Sequence, residues 1–256
     1  MTYQLILGDC IEGMRAMADK SVDHVITDPP YGKRTHSGQR HGRRGKGYKD
    51  SWVSSAGLAY DHLDEEKVKL LASEYVRVAR KWILIMTSHD LYPLWELALG
   101  RYCFAPIPIV MPGMNVRLAG DGPSSWAVWM VVNRPIGLKD GTKPGAYIGP
   151  PGAGPERAEN PVKGHKPLWL MKAIIEDYTA LGDSVLDSHT GSGTTAAACI
   201  ELGRRFIGFE NKEPNYNYAT ARLARCVVDL GAVQRQGLLA LPRPKQLTLS
   251  TDLDLP

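Results

Sequence analysis

Asp28-Pro29-Pro30-Tyr31 closes the apolar run of Val22, Val25 and Ile26, and its composition forces a change of direction. Proline donates no backbone N–H and fixes φ, so neither a strand nor a helix continues through two of them in a row. The chain leaves its sheet here on a rigid turn. Two proline carbonyls stay free as acceptors, Asp28 adds a charged acceptor and Tyr31 adds a flat π-face. That set suits a planar ring bearing an amine. The lone pair of an exocyclic amine is delocalised into its ring, so the nitrogen is a poor nucleophile until acceptors hold its N–H groups and favour a more tetrahedral geometry. Asp28 and the Pro29 carbonyl could do this while Tyr31 stacks on the ring. The same four residues would also serve as a plain turn with an exposed acid and aromatic.

Directly after Tyr31 the charge changes. Between Lys33 and Lys49 stand Lys33, Arg34, Arg40, Arg43, Arg44, Lys46 and Lys49, with no acid among them. Taking those seven from a net charge of +4 leaves −3 for the rest of the chain. Positive charge is thus concentrated in one Gly-rich loop, the pattern expected for contact with a phosphate backbone. A solvated surface insert would share that composition.

On the amino-terminal side, Leu5, Ile6 and Leu7 read as a short buried strand ended by Gly8-Asp9, followed by a brief helix through Met14 and Met17. On the other side, Leu63 to Arg80 has the spacing of an amphipathic helix, with Asp64 and Glu65 in its first turn. Trp82 to Met86 reads as a strand and Leu91 to Leu99 as a helix ended by Gly100. Tyr102 to Val110 and Trp126 to Val132 read as two further strands. Residues 135–165 hold 13 Gly or Pro out of 31, too many for a regular element, and predict a long irregular connection. Pro167 would then open a helix to Ala180 as its first residue.

Ser184-Val185-Leu186-Asp187 is the next strand, and Ser188-His189-Thr190-Gly191-Ser192-Gly193-Thr194-Thr195 turns from it into an Ala-rich helix. Glycines at such a turn let backbone approach a ligand closely, and the helix start offers unpaired N–H groups. Arg205 to Phe209 forms a strand ending at Glu210, 23 residues beyond Asp187. An acid at the tip of the following strand is where doubly wound folds bind ribose hydroxyls. Pro214 opens a last helix to about Cys226, and residues 238–256 read as a Pro-rich and polar tail. Strands alternating with helices predict an α/β fold whose parallel sheet carries Asp9, Asp28, Asp187 and Glu210 at strand carboxyl ends.

The 256 residues, 43% of them hydrophobic, suit one domain, read as 1–237 with the tail excluded. Cys10, Cys103, Cys199 and Cys226 stand far apart without a C-x-x-C pair, which argues against a metal site or disulfide scaffold and for a reducing compartment. Asp9 and Glu12 interrupt any amino-terminal export pattern, and no apolar run reaches the ~20 residues of a membrane span, so a cytoplasmic protein is expected.

Asp28-Pro29-Pro30-Tyr31 near one end, with Val185-Leu186-Asp187 through Gly191-Ser192-Gly193-Thr194-Thr195 near the other, resembles the amino-methylating DNA methyltransferases. The catalytic motif precedes the cofactor motif, as in their permuted β group, and the likeness runs from about residue 3 to residue 226. It implies a doubly wound, mostly parallel seven-stranded Rossmann-like sheet, circularly permuted between the strands ending in Glu210 and in Asp9. S-adenosylmethionine would lie over Asp187 and its turn (Ser188, His189, Thr190, Gly191, Ser192, Gly193, Thr194, Thr195). Glu210, with Asn211 next to it, would meet the ribose, and Asp9, with Cys10 next to it, the adenine amine. His165-Lys166-Pro167 is similar to a segment in which the lysine helps hold the methionine carboxylate. Ser188-His189 departs from the usual Pro-Phe and makes the pocket more polar, and the stretch before Lys166 is shorter than usual.

The activity implied is methylation of adenine N6 on a base flipped from double-stranded DNA, with Asp28, Pro29, Pro30 and Tyr31 as catalytic residues. Cytosine-N4 methylation is the alternative within the class, where Ser or Thr usually replaces the Asp. An RNA or protein-amide methyltransferase and a noncatalytic DNA-binding protein stay open beyond it. Target choice is expected in residues 33–62 and 112–164, and a homodimer is what the group suggests. His165 and His189 read as local hydrogen-bonding loop residues, Trp126 and Trp129 as strand core, and the contiguous Ser88-His89-Asp90 as no triad.

Overall fold

The apolar run leading to Asp28 forms β2, His24–Thr27, with all four residues buried. The computed structural model describes residues 3–32, 62–112, 126–134, 139–151, 162 and 164–235. Its other strands are β1 (Tyr3–Leu7), β3 (Ile83–Thr87), β4 (Ile107–Met111), β5 (Trp126–Asn133), β6 (Tyr147–Ile148), β7 (Ser184–Asp187) and β8 (Arg205–Glu210). They form one sheet in the order β1-β8-β7-β2-β3-β5-β4-β6, parallel except where β5 pairs with β3 and β4. Helices α1 (Cys10–Arg15), α2 (Glu65–Val78), α3 (Tyr92–Leu99), α4 (Leu168–Tyr178), α5 (Thr194–Glu201) and α6 (Glu213–Arg235) connect and cover them.

Successive side chains of a strand point to opposite faces, so the continuous apolar runs of the central strands feed two cores. Ile26, Leu84, Met86 and Val185 pack with α4 and α5 on one face. Val25, Ile83, Ile85 and Leu186 pack with α1, α2 and α3 on the other. Burying each such side chain contributes about 1.5–3 kcal/mol, and two layers of them fix β2 and β7 side by side. That is the doubly wound α/β architecture. Among the described residues no helix is long and apolar enough to cross a membrane.

Several expected boundaries are corrected. Among the described residues the sheet has eight strands rather than seven, because Tyr147–Ile148, inside the Gly- and Pro-rich connection, pairs with β4. Tyr147 anchors it, buried and donating to Asp177 at 2.7 Å. β1 is not buried: it is an edge strand with β8 as its neighbour, and Leu7 is 47% exposed. The strand expected from Tyr102 starts only at Ile107, after a single 3-10 turn at Gly100–Tyr102 and past Pro106, which has no N–H for a ladder. Pro167 is the residue before α4, in an extended conformation, rather than its first turn. The last helix runs to Arg235, beyond the expected Cys226. Residues 238–256 lie outside the described residues.

Candidate active site

Four consecutive parallel strands, β1, β8, β7 and β2, bring Asp9, Glu210, Asp187 and Asp28 to the same edge of the sheet. Asp9 caps α1, its Oδ1 accepting from the amides of Ile11 at 2.8 Å and Glu12 at 3.0 Å. A Cβ on Gly13 would fall 2.1 Å from the Phe209 ring, so only glycine lets α1 lie this close to β8. Gly8 donates its amide to the Glu210 carbonyl at 3.0 Å, which holds the two strand tips together.

Asp187 is 2% exposed. Its Oδ1 accepts from the Thr27 hydroxyl at 2.8 Å and the His189 amide at 3.0 Å. Burial raises the carboxyl to about 6, against those hydrogen bonds and with the Asp28 charge adding to the rise. Beyond it the chain turns through Gly191 and Gly193, and at Gly193 φ is +79° with Ala219 close behind, so a side chain would be both strained and crowded. The Thr190 amide donates to the Phe209 carbonyl at 2.9 Å, tying the turn to β8.

The Glu210 carboxylate faces this turn. Its Oε2 accepts from the Gly191 amide at 2.8 Å and its Oε1 from the Lys212 amide at 2.9 Å. A carboxylate has about four lone-pair positions, so these bonds orient the group and leave acceptor capacity for a ligand. Asn211 is exposed at the rim. Ser192 and Thr194 are buried and their hydroxyls lie 3.1 Å apart; Thr195 is buried as well, so these hydroxyls support the turn from within.

Asp28 stands one residue past β2 and is half-buried, with Pro29 buried behind it. The Tyr31 hydroxyl donates to its Oδ1 at 2.9 Å. Its Oδ2 is ion-paired with Nζ of Lys166, which is 6% exposed. The same ammonium lies 5.2 Å from the centre of the Tyr31 ring. Lys166, expected at an anionic group of a cofactor, is thus paired with the acid of the Asp28-Pro29-Pro30-Tyr31 stretch, an arrangement that no sequence pattern announces.

Thr27 and Tyr75 join the site without any sequence signal of a role there. The Tyr75 hydroxyl and Ser188 Oγ are 2.6 Å apart, Thr27 Oγ1 is 3.1 Å from Ser188 Oγ, and Ser188 Oγ is 2.9 Å from His189 Nδ1. The Ser188-His189 pair is thereby absorbed into a polar network under the turn. Burial pushes the His189 imidazole down to about 4, so it stays neutral near pH 7. His189 Nε2 lies 3.9 Å from the sulfur of the buried Cys10, and burial pushes that thiol up to about 12. His165 Nδ1 lies 3.0 Å from the Val162 carbonyl, so both histidines make the local hydrogen bonds expected of them. Ser88 contacts the Gly32 amide at 3.4 Å while His89 is exposed, so the contiguous trio forms no triad.

Lys33, Arg34, Arg40, Arg43, Arg44, Lys46 and Lys49 lie outside the described residues. The chain on either side of them is described: Gly32 bridges to Leu63, and the Leu63 amide donates to the Tyr31 carbonyl at 3.3 Å. The described chain on both sides of these residues is therefore held beside Tyr31.

Residues 129–221 match the family described as DNA methylase, N6_N4_Mtase. YubD of Escherichia coli (strain K12), a protein named as a methylase, is 27% identical over 250 residues, 86% of this chain and 90% of its own. The type II methyltransferase M.HindIII of Haemophilus influenzae is 50% identical over 58 residues, 23% of this chain and 19% of its own. The solved M1.HpyAVI–SAM complex superposes with a TM-score of 0.60 over 86% of this chain and 98% of its own; at 22% identity this is a likeness of fold. The stretch similar to the DNA methylases holds Lys166, Asp187, the glycine turn and Glu210.

Proposed function

We propose that the chain moves a methyl group from S-adenosylmethionine to adenine N6 of a base drawn out of double-stranded DNA. The observation that carries this reading is Asp28, a charged acceptor on a rigid Pro-Pro turn, one strand away from the Asp187 and Glu210 pocket. The family embraces both N6 and N4 methylation, and an Asp in place of Ser or Thr at the head of the motif favours adenine.

The pocket fits the cofactor. A nucleoside and amino-acid conjugate needs an acceptor for ribose hydroxyls, close backbone approach and a cation for its carboxylate. Glu210 has spare acceptor capacity, Gly191 and Gly193 present bare backbone, and Lys166 supplies a buried ammonium. When bound, the cofactor supplies an electrophilic methyl on a cationic sulfur. Asp28 and the Pro29 carbonyl then hold the N–H groups of the target amine, and Tyr31 stacks on the base. The amine proton becomes acidic only once the nitrogen carries the methyl, so Asp28 works by positioning and charge, with no strong base required. The basic residues Lys33 to Lys49 would meet phosphates next to the emptied stack position.

Incubating the protein with DNA and S-adenosylmethionine, digesting to nucleosides and weighing the products tests this. N6-methyladenine is the expected product. N4-methylcytosine would reassign the base, and an unmodified digest with methylated RNA or protein would overturn the DNA reading.

A further inference from the structure

Both oxygens of Asp28 are taken within the chain: Oδ1 by the Tyr31 hydroxyl and Oδ2 by Lys166 Nζ. An amine brought to Asp28 needs an open acceptor, so one of these partners has to yield. Tyr31 is three residues away on the same rigid turn. Lys166 comes from a segment 138 residues distant, on a flexible four-carbon stem, and Gly164 O at 3.5 Å is a second hydrogen-bond acceptor for it. It is the partner able to move. A buried ammonium cannot give up one anion without gaining another, because an unpaired charge in this surrounding is strongly destabilised.

The place of the pair identifies the replacement. Asp28 follows β2, Asp187 ends the neighbouring β7, and the Thr27 hydroxyl bonds across between them. Lys166 thus stands at the border between the site for the target amine and the site for the methyl donor. Of the two ligands entering there, the donor brings a carboxylate, whereas the anions of the target nucleotide are backbone phosphates, which the proposed function gives to the basic residues Lys33 to Lys49.

Resting on the function proposed above, we propose that Lys166 is a latch on Asp28, released when the ammonium passes to the carboxylate of S-adenosylmethionine. Without the donor, Lys166 and Tyr31 occupy Asp28. With it, Lys166 turns away, Oδ2 becomes available to the target amine, and a cation is removed from beside a nitrogen that is about to become positive. The chain then takes its donor before its base, and Lys166 acts as a positioning residue through Asp28.

The latch predicts competition between Asp28 and the donor's carboxylate for one ammonium, measurable without turnover. The probes are S-adenosylhomocysteine and its decarboxylated analogue, titrated calorimetrically into wild type, Asp28→Asn, Lys166→Met and the double variant, each checked by thermal melt. Freed from Asp28, Lys166 should bind the carboxylate better, so Asp28→Asn tightens S-adenosylhomocysteine about fivefold or more and leaves the decarboxylated analogue unchanged. Lys166→Met should erase the preference for the carboxylate, and adding Asp28→Asn to it should change nothing further.

Tightening that persists in the double variant means simple repulsion between carboxylates and overturns the latch. Unchanged or weaker binding by Asp28→Asn overturns it too, while methyl transfer by the wild type would leave the proposed function standing. Should Asp28→Asn not fold, an undiminished carboxylate preference in Lys166→Met alone is enough to reject the proposal. If neither probe binds the wild type, the proposed function itself fails.

Discussion

The Thr27 hydroxyl on β2 donates to the buried carboxyl of Asp187 at the end of β7, 2.8 Å away, and ties the strand that leads to Asp28 to the strand that leads into the glycine turn. The bond is short of compensating for burial, which holds Asp187 at about 6 against an ordinary 3.8.

A carboxyl raised in this way binds its proton more tightly folded than unfolded. Its contribution to stability is present below about 3.8 and is lost as pH rises through about 6. Asp187→Asn keeps the acceptor oxygen without the charge. It should match wild type in thermal stability near pH 4 and exceed it at pH 8 by on the order of 2–3 kcal/mol, since one unit corresponds to about 1.4 kcal/mol. Melting both proteins at pH 4, 6 and 8 checks this; a constant gap would mean that the buried charge costs nothing.

Asp28→Ala should lower methyl transfer by about 10²–10³-fold or more, the scale of losing one preorganised polar group at the reacting centre. Donor binding should not weaken beyond a few-fold, because the proposed function places Asp28 against the target amine and not against the donor's nucleoside. Equilibrium titration of the purified variant decides: a loss of donor affinity that parallels the loss of rate would place Asp28 in the wrong pocket.

Glu210 orients the glycine turn through the Gly191 amide, accepts from the Lys212 amide as well, and is the acid that the proposed function gives to the ribose. Glu210→Gln preserves one acceptor for the turn and removes the charge from any ribose contact. Charge-assisted hydrogen bonds contribute ~1.5–3 kcal/mol each, so the donor's Kd should rise roughly tenfold to a hundredfold, and Tm should fall as well because the amide NH2 meets one of the two backbone donors, Gly191 or Lys212. An unchanged Kd would reduce Glu210 to a support for the turn.

The strand-end acids were legible in the sequence because each closes an apolar run and stands beside a breaker: Gly8 before Asp9, the prolines after Asp28, the glycine turn after Asp187. Other features carry no local signal. Lys166 and Asp28 are 138 residues apart, and a pattern read in windows cannot pair them. Tyr75 occupies a core position of an amphipathic helix, where its ring is explained by packing and its hydroxyl bond to Ser188 leaves no trace. β6 has two residues, too few for any periodicity, and depends on Asp177 from α4. Leu7 looks like core until the strand order puts β1 at the edge and leaves it exposed, while Leu5 still packs against the core.

The basic segment from Lys33 to Lys49 begins one residue after Gly32, and both ends of the stretch that contains it are fastened at Tyr31, by the Gly32–Leu63 bridge and the Leu63 amide. The proposed function puts the target base against Asp28 and Tyr31, next to the point from which the chain carrying those seven charges sets out, and no acid among residues 33–49 offsets them. Neutralising Arg40, Arg43 and Arg44 to Gln should weaken DNA binding and flatten its salt dependence, the log–log slope falling by about 0.9 for each phosphate that an arginine no longer neutralises. Donor affinity should stay as in wild type, since the proposed donor site is built from Glu210 at the end of β8 and the glycine turn after β7 and includes none of these arginines. DNA affinity measured across a salt series for both proteins decides the matter. Parallel slopes would mean that the arginines are a solvated surface and that the duplex is held elsewhere, while a slope reduced by about two to three with unchanged donor binding would put at least two of the three arginines on phosphates.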